Sequence, residues 1–261
     1  MRIDVVTIFP RMIEAPVSEG IVQRARDAGL VDLRVHDLRD HTDDRHRSVD
    51  DAPFGGGPGM VMKAEPFARA LEAIGAPRAE GTAVVLLSPR GRRFDQEAAR
   101  RFARLDRLVL LCGRYEGVDE RVAEALATEE LSLGDFVLTG GETAALAVVE
   151  ATVRLLPGAL GDEGSAESDS FEGGVLDWPH YTRPAAWRGR DVPAVLLGGD
   201  HGKIRRFRRK EALRATRARR PDLLPAAALS PEDERLLREI EDEVRAAPAG
   251  ALDKTAAVLH K

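Results

Sequence analysis

The feature that most constrains the fold is an alternation of short apolar runs with helical patterns over the first 160 residues. The runs that predict β-strands are Ile3–Ile8, Leu30–Val35, Ala83–Leu87, Leu108–Cys112 and the strand-like run Leu133–Leu138. Helical spacing of apolar residues is found in Ala64–Ile74, Gln96–Leu105, Glu120–Ala127 and Glu142–Leu156. Strands that alternate with helices form βαβ units, so the pattern predicts an α/β fold with a mainly parallel sheet flanked by helices.

The composition changes after residue 160, where the α/β pattern ends. The segment GDEGSAESDSFEGG is rich in glycine, serine and acidic residues, which is typical of a flexible linker. Further on, Ser230 and Pro231 have the residue types of an N-cap and a first helical position. We therefore predict a domain over residues 1–160, a flexible linker over 161–175 and a small, mostly helical domain over 176–261.

Charge and hydropathy limit the classes of protein to which the chain can belong. No apolar run is long enough to span a bilayer, and Cys112 is the only cysteine, which favours a reducing cytoplasm. The net charge is -5, yet the segment from Lys203 to Arg220 holds ten basic residues and one acid, Glu211. A long run of nearly one sign indicates contact with a polyanion such as nucleic acid; the alternative is a solvated charged helix.

Three apolar runs lead directly into turns that contain glycine or proline. These segments are LLSPRG from Leu86, LCGRYEG from Leu111 and SLGDFVLTGGE from Ser132. In α/β sheets, ligands bind outside the carboxyl ends of the strands, where small residues let backbone groups come close to a ligand. A fourth segment, DDAPFGGGPGMVM from Asp50, has too many glycines and prolines to be a regular element and could wrap a ligand. A flat purine would suit such a site, although three ordinary tight turns remain the alternative.

Two other patterns are weaker. GGDHGK, from Gly198, resembles a phosphate-binding loop, but its spacing is wrong and no Ser or Thr follows the lysine. His41 and His46 lie among acidic residues, but their spacing matches no known ligand set, which favours a polar loop. We therefore predict no metal site from the residues themselves.

Several long segments, in the same order, closely resemble the bacterial tRNA (guanine-N1)-methyltransferase family. The segments that carry the resemblance are DRHRSVDDAPFGGGPGM from Asp44, LLSPRG, LCGRYEGVDER, SLGDFVLTGGE, the helix end Arg154–Leu156, DSF from Asp169 and DWPHYTRP from Asp177. The resemblance implies a SPOUT-class fold, in which a trefoil knot in the parallel sheet holds S-adenosylmethionine. It also implies a homodimer with its active site at the subunit interface, and tRNA with guanosine at position 37 as the substrate.

The resemblance also implies roles for individual residues. The implied S-adenosylmethionine-binding residues are Ser88, Pro89, Gly113, Tyr115, Glu116, Leu133, Gly134, Asp135, Phe136, Val137, Leu138, Gly140 and Gly141. Asp169 matches the family's catalytic base and Arg154 its catalytic arginine. Glu116 is implied to orient either the cofactor or an Mg²⁺ ion. From composition alone, Asp169 would be one more linker acid, and Arg154 would be a cation at the end of a helix.

The chemistry expected of this pair follows from the substrate. N1 of guanine carries a proton at neutral pH and becomes a good nucleophile only when a base such as a carboxylate removes it. Negative charge then builds on O6, where a fixed guanidinium stabilises it. Two other hypotheses are a SPOUT methyltransferase with an rRNA target and a non-catalytic RNA-binding protein that uses the basic segment. The second alternative leaves the three strand-end segments unexplained.

Overall fold

The computed structural model describes residues 1–76, 79–161 and 169–246, which divide into two compact units, Met1–Glu163 and Gly164–Lys261. The strands of the first unit are β1 (Arg2–Thr7), β2 (Asp32–Asp37), β3 (Asp50–Asp51), β4 (Val61–Met62), β5 (Thr82–Arg93), β6 (Arg107–Cys112) and β7 (Glu129–Ser132). Its helices are α1 (Pro10–Glu14), α2 (Gly20–Asp27), α3 (Ala64–Ala73), α4 (Gln96–Ala103) and α5 (Glu142–Val153). Short 3-10 turns cover Pro16–Ser18 and Leu38–His41.

Five parallel strands form the central sheet, in the order β2-β1-β6-β5-β7. Alternate side chains of β1 enter different cores: Val5 packs with α2, α4 and α5, whereas Val6 packs with α3. Helices therefore cover both faces of the sheet, which is why its strands read as nearly continuous apolar runs. The predicted α/β architecture with a mainly parallel sheet is confirmed.

A buried carboxylate connects three neighbouring strands of this sheet. Asp4 of β1 is fully buried and accepts hydrogen bonds from Arg2 at 2.9 Å, His36 of β2 at 2.8 Å and Arg107 of β6 at 2.9 Å. Burial would raise the pKa of Asp4, but the hydrogen bonds from His36 and Arg2 and the charge of Arg107 lower it to about 2. The single acid in the first apolar run is therefore stabilised as an anion.

The predicted strand at Leu133–Leu138 is wrong. The last strand of the sheet is β7, Glu129–Ser132, and the predicted run forms the loop after it. Phe136 and Val137 are largely exposed there. The polar residues Glu129 and Glu130 can occupy a strand because β7 lies at the sheet edge, where Arg101 and Arg90 pair with their carboxylates.

Two further predictions need adjustment. Residues 120–127 were predicted as an α-helix, but Val122–Leu126 form a single wider π-helical turn. LLSPRG was predicted to turn after Leu87, yet β5 continues to Arg93 with a register shift between Leu87 and Arg92. Gly91 permits this course, because a Cβ atom there would overlap the backbone of Leu131 in β7.

The second unit contains a small two-stranded sheet and two long helices. Its elements are β8 (Ala186–Trp187), β9 (Arg190–Asp191), α6 (His201–Arg219) and α7 (Pro231–Ala246), with 3-10 turns at Glu172–Gly174, Ala194–Leu196 and Pro221–Ala226. Val175, Leu213, Leu236 and Ile240 form its core. Helix α7 begins at Pro231, and the amide of Asp233 donates to Ser230 Oγ at 3.2 Å, as predicted. Part of the predicted linker, residues 162–168, lies outside the described residues.

Candidate active site

The irregular part of β5 after Leu87 and the carboxyl ends of β6 and β7 surround one pocket of about 280 Å³ in the first unit. It is lined by residues of LLSPRG within β5 and of the two segments that follow β6 and β7, together with a few residues of the π-helical turn and α5. The volume is close to the lower end of the range for small-molecule sites, roughly 300 Å³. The predicted meeting of the three strand-end segments is confirmed for the described residues.

Most residues that the sequence assigned to a cofactor line this pocket. They are Ser88, Pro89, Gly113, Tyr115, Glu116, Leu133, Phe136, Val137, Leu138, Gly140 and Gly141. Gly134 and Asp135 belong to the same loop as Phe136 but are not among the lining residues. Arg154 is the C-cap residue that follows α5, and Asp169 belongs to the second unit. The cofactor and catalytic roles of all these residues stay predictions.

The sequence had not singled out several charged and polar lining residues. These are Arg90, Arg114, Glu120, Glu130, Ser132 and Thr139. Arg90, Arg114, Ser132 and Thr139 lie inside the three segments, so their position was the available signal. Arg90 donates to Glu120 at 2.7 Å, and this hydrogen bond, with the charges of Glu130 and Glu120, raises the pKa of Arg90.

Glycine lets two of the loops meet backbone to backbone beside the pocket. The amide of Gly141 donates to the carbonyl of Gly113 at 2.9 Å. A Cβ atom on Gly141 would lie 2.8 Å from Cα of Cys112, and one on Gly140 would overlap the side chain of Arg114. Cys112 itself is fully buried at the end of β6, and burial raises the pKa of its thiol, which fits the predicted core role.

A buried ion pair fixes Arg114, the residue that follows Gly113. Arg114 Nε donates to Glu142 Oε2 at 2.9 Å, and its guanidinium lies 4.6 Å from the ring centroid of Phe9. Glu142 is fully buried at the start of α5, where its other oxygen accepts a hydrogen bond from Thr7 Oγ1 at 2.6 Å. This carboxylate therefore links β1, α5 and the loop after β6.

The glycine-rich segment between β3 and β4 is held against the same loop. The amide of Glu116 donates to the carbonyl of Met60 at 3.0 Å, and the amide of Met62 donates to Gly117 at 2.9 Å. Gly59 packs against the Glu116 side chain so closely that a Cβ atom would overlap it. The neighbouring Tyr115 has a φ of 61°, a strained value for a residue with a side chain. Such strain concentrates at ligand sites.

Neither a metal-ligand cluster nor a membrane span is present in the part of the chain that the structure describes. Within residues 1–76, 79–161 and 169–246, no three His, Cys, Asp or Glu side chains come together as a metal site requires. Of the helices in the same ranges, none is long and apolar enough to cross a membrane.

Comparison with known proteins identifies the family. A family model described as tRNA (Guanine-1)-methyltransferase TrmD matches residues 1–226. The chain is 54% identical over 242 residues to a protein of Geobacter metallireducens, covering 93% of this chain and 98% of that protein. It is 55% identical to proteins of Anaeromyxobacter sp., with 94% and 98% covered, and of Chloroflexus aggregans, with 87% and 89% covered. All three are named tRNA (guanine-N(1)-)-methyltransferase. The chain therefore belongs to the tRNA (guanine-1)-methyltransferase TrmD family.

Proposed function

We propose that this protein transfers the methyl group of S-adenosylmethionine to N1 of guanosine 37 in tRNA and forms 1-methylguanosine beside the anticodon. The observation that carries the proposal is the pocket between LLSPRG of β5 and the segments after β6 and β7, in a chain of this family. The family name supports the reaction and the class of substrate. The methylated position and the identity of the donor follow from the resemblance.

The pocket has the features that a purine-containing methyl donor needs. Apolar side chains such as Leu87, Leu133 and Val137 line it, together with backbone of Gly113 and Gly141. A Cβ atom on Gly140 or Gly141 would overlap the loop after β6, so glycine at these positions lets the two loops that line the pocket lie close together. When bound here, S-adenosylmethionine supplies a methyl group made electrophilic by the adjacent sulfonium.

Asp169 and Arg154 are the proposed catalytic residues. The carboxylate of Asp169 takes the proton from N1 of guanine, which makes the nitrogen nucleophilic. The guanidinium of Arg154 stabilises the negative charge that then develops on O6. In this proposal, the residues of the first unit orient the methyl donor, and Asp169 is contributed by the second unit.

An Mg²⁺ ion has no part in the proposal. Glu116 is the residue to which the resemblance assigns it, but the described residues provide no three-carboxylate or mixed ligand cluster around it. The contacts of Glu116, with Gly59 and the Met60 carbonyl, suggest instead that it holds the glycine-rich loop beside the pocket.

The trefoil knot, the homodimer with an interfacial site and a cytoplasmic location are further parts of the proposal. The knot rests on membership of this family. The homodimer is supported by exposed apolar side chains beside the pocket, Phe136 and Val137, which a partner subunit would cover. A cytoplasmic location fits a tRNA substrate.

The decisive experiment is transfer of a labelled methyl group to tRNA transcripts that carry either guanosine or adenosine at position 37. We expect transfer to the guanosine transcript alone, and a rate roughly 10²–10⁴-fold lower for Asp169→Asn. Transfer to both transcripts, or to neither, contradicts the proposal. Transfer to rRNA in preference to tRNA would support the second SPOUT hypothesis.

A further inference from the structure

The two sides of helix α6 differ in how their positive charges are balanced. Among the ten basic residues from Lys203 to Arg220, seven form ion pairs with described acids. The other three, for which the described residues offer no ion pair, are Arg205, Arg208 and Arg219. The sequence alone could not divide the segment in this way, because it shows only the sum of the charges.

The paired side of α6 is bound to α7. Arg209 contacts Asp233 at 2.6 Å, and Lys210 contacts Glu239 at 2.8 Å and Glu243 at 2.7 Å. Arg206 pairs with Glu239, Arg214 with Glu243 and Arg217 with Glu241. These cations are already neutralised by acids of the same unit, so they stabilise the helix pair and have little charge left for an external anion.

The three cations that have no ion pair with a described residue lie on a different stripe of the helix. Positions 205, 208, 212, 216 and 219 follow one another at helical steps of three or four residues, which places them on one face. Arg205, Arg208 and Arg219 are exposed, whereas Ala212 and Thr216 between them are buried. The centre of the stripe is therefore buried, and exposed arginine side chains lie on either side of it along the helix.

The segment packed against this stripe connects it to the proposed catalytic base. Thr216 Oγ1 accepts a hydrogen bond from the amide of Leu176 at 2.8 Å, and Arg208 lies 5.2 Å from the ring centroid of Trp178. Residues 175–178 directly continue the segment that begins with Asp169. An anionic chain bound along Arg205, Arg208 and Arg219 would therefore run beside the Asp169 segment within the second unit.

We infer that Arg205, Arg208 and Arg219 form the phosphate-contacting face of α6 and that the ligand is the RNA backbone next to the methylated base. This inference rests on the proposed function. Guanidinium groups suit the ligand, because each can donate two parallel hydrogen bonds to one phosphate. Each phosphate contact releases condensed counterions, so the affinity must depend on salt in proportion to the number of contacts.

The test compares the salt dependence of tRNA binding between two charge-matched double variants of the full chain. Binding of unmodified tRNA transcript is measured without methyl donor from 50 to 300 mM salt, on the order of the range where such contacts are resolved. For Arg205→Gln/Arg208→Gln, the slope of log affinity against log salt should become less steep, by about 0.7–0.9 for each lost contact. Arg219→Gln should make the slope less steep by the amount of a single contact, about 0.7–0.9.

The control is Arg235→Gln/Arg238→Gln, which removes the same charge from two exposed arginines of α7 for which no described residue offers an ion pair. We expect its salt slope to match that of the wild type. Arg205→Lys/Arg208→Lys keeps the charges and should recover most of the slope, which a purely structural role would not predict. Equal slopes for the two glutamine variants, or no tRNA binding by the wild type, would overturn the inference.

Methyl transfer separates this inference from the proposed function. The rate of transfer is measured over a series of tRNA concentrations. Arg205→Gln/Arg208→Gln should keep its kcat, the rate at saturating tRNA, while its KM for tRNA rises about 10-fold or more, since phosphate contacts position the substrate. If the wild type binds tRNA with the expected contrast in slopes but transfers no methyl group, the proposed function fails and the phosphate face stands. If the wild type methylates tRNA but the salt slopes of the two glutamine double variants do not differ, the inference about the phosphate-contacting face is wrong and the proposed function stands.

Discussion

At the scale of single residues, the pocket depends on a few closely packed positions where a larger side chain would overlap its neighbours. Gly141 donates its amide to Gly113 and has Cα of Cys112 where a Cβ atom would project. Glu142, the next residue, is buried between Thr7 and Arg114. Close packing of this kind leaves no space into which a methyl group can move.

We predict that Gly141→Ala weakens binding of S-adenosylmethionine and destabilises the first unit. The added methyl group would lie 2.8 Å from Cα of Cys112, so the loop after β7 must move away from the loop after β6. Overpacking in a rigid site costs about 1–3 kcal/mol. Titration calorimetry with S-adenosylmethionine measures the loss of affinity, and thermal unfolding measures the loss of stability.

The matched control for Gly141→Ala is Gly161→Ala. No atom lies within 4 Å of the position that its Cβ would occupy, so affinity and melting temperature should stay within experimental error of the wild type. An equal affinity for Gly141→Ala and the wild type would show that the contact between the two loops does not shape the cofactor site.

At the scale of elements, the second unit depends on the pairing of α6 with α7. Asp233 stands at the start of α7, where its side chain is nearly buried and contacts Arg209 and Ser230. The hydrogen bond from Arg209 lowers the pKa of Asp233 to about 2 against the opposing effect of burial, and Ser230 adds to the lowering. Because the folded-state pKa lies below the unfolded value of 3.8, the carboxylate stabilises the fold above that pH.

We predict that Asp233→Asn lowers the free energy of unfolding of the second unit by about 2 kcal/mol at pH 7. The difference from the wild type should shrink as the pH falls from about 4 towards about 2, because the wild-type carboxylate then takes up its proton. The two tryptophans of the chain, Trp178 and Trp187, both lie in this unit, so urea unfolding followed by tryptophan fluorescence reports on it.

Glu232→Gln serves as the control for this prediction, since Glu232 is an exposed acid in the first turn of the same helix. We expect it to change the free energy of unfolding by less than about 0.5 kcal/mol. A difference between Asp233→Asn and the wild type that stays constant from pH 7 to pH 2 would rule out the Asp233–Arg209 pair as its cause.

At the scale of the whole molecule, the proposed reaction needs residues of both units. The pocket and Arg154 belong to the first unit and Asp169 to the second. In the proposed homodimer, the two catalytic residues of one site come from different subunits. A site composed in this way can be rebuilt from two inactive chains.

We predict that mixed dimers of Arg154→Ala and Asp169→Ala subunits recover methyl transfer that neither variant has alone. Random mixing makes half of the dimers mixed, each with one intact site, so activity should reach roughly a quarter of the wild-type value. The measurement is labelled methyl transfer after the two chains are unfolded and refolded together. No recovery would show that both residues of a site belong to one subunit.

The control for the mixing experiment is Arg154→Ala combined with the double variant Arg154→Ala/Asp169→Ala. Every site in these dimers lacks Arg154, so no activity should return. Recovery here would indicate that Arg154 does not take part in the transfer, and the pairing of subunits would then be irrelevant.

The sequence by itself determined the features that depend on local periodicity. The apolar runs of β1, β5 and β6 predicted a parallel sheet, because strands covered by helices on both faces need apolar side chains on both. Ser230 and Pro231 predicted the start of α7, because an N-cap and a first-turn proline act through their own backbone. The glycine-containing segments at strand ends predicted where the pocket lies, because parallel strands share one carboxyl edge.

Only the tertiary structure decided which elements meet. Leu133–Leu138 has the composition of a strand, yet Glu129–Ser132 takes the edge position, because Arg101 and Arg90 from distant segments neutralise its glutamates. From the sequence, all ten basic residues of the basic segment are equivalent. In the structure, acids of α7 form ion pairs with one side of α6, and Arg205, Arg208 and Arg219 have no ion pairs among the described residues. The physical reason is the same in both cases: a charge is stabilised by the groups that folding brings beside it, and sequence distance does not encode that proximity.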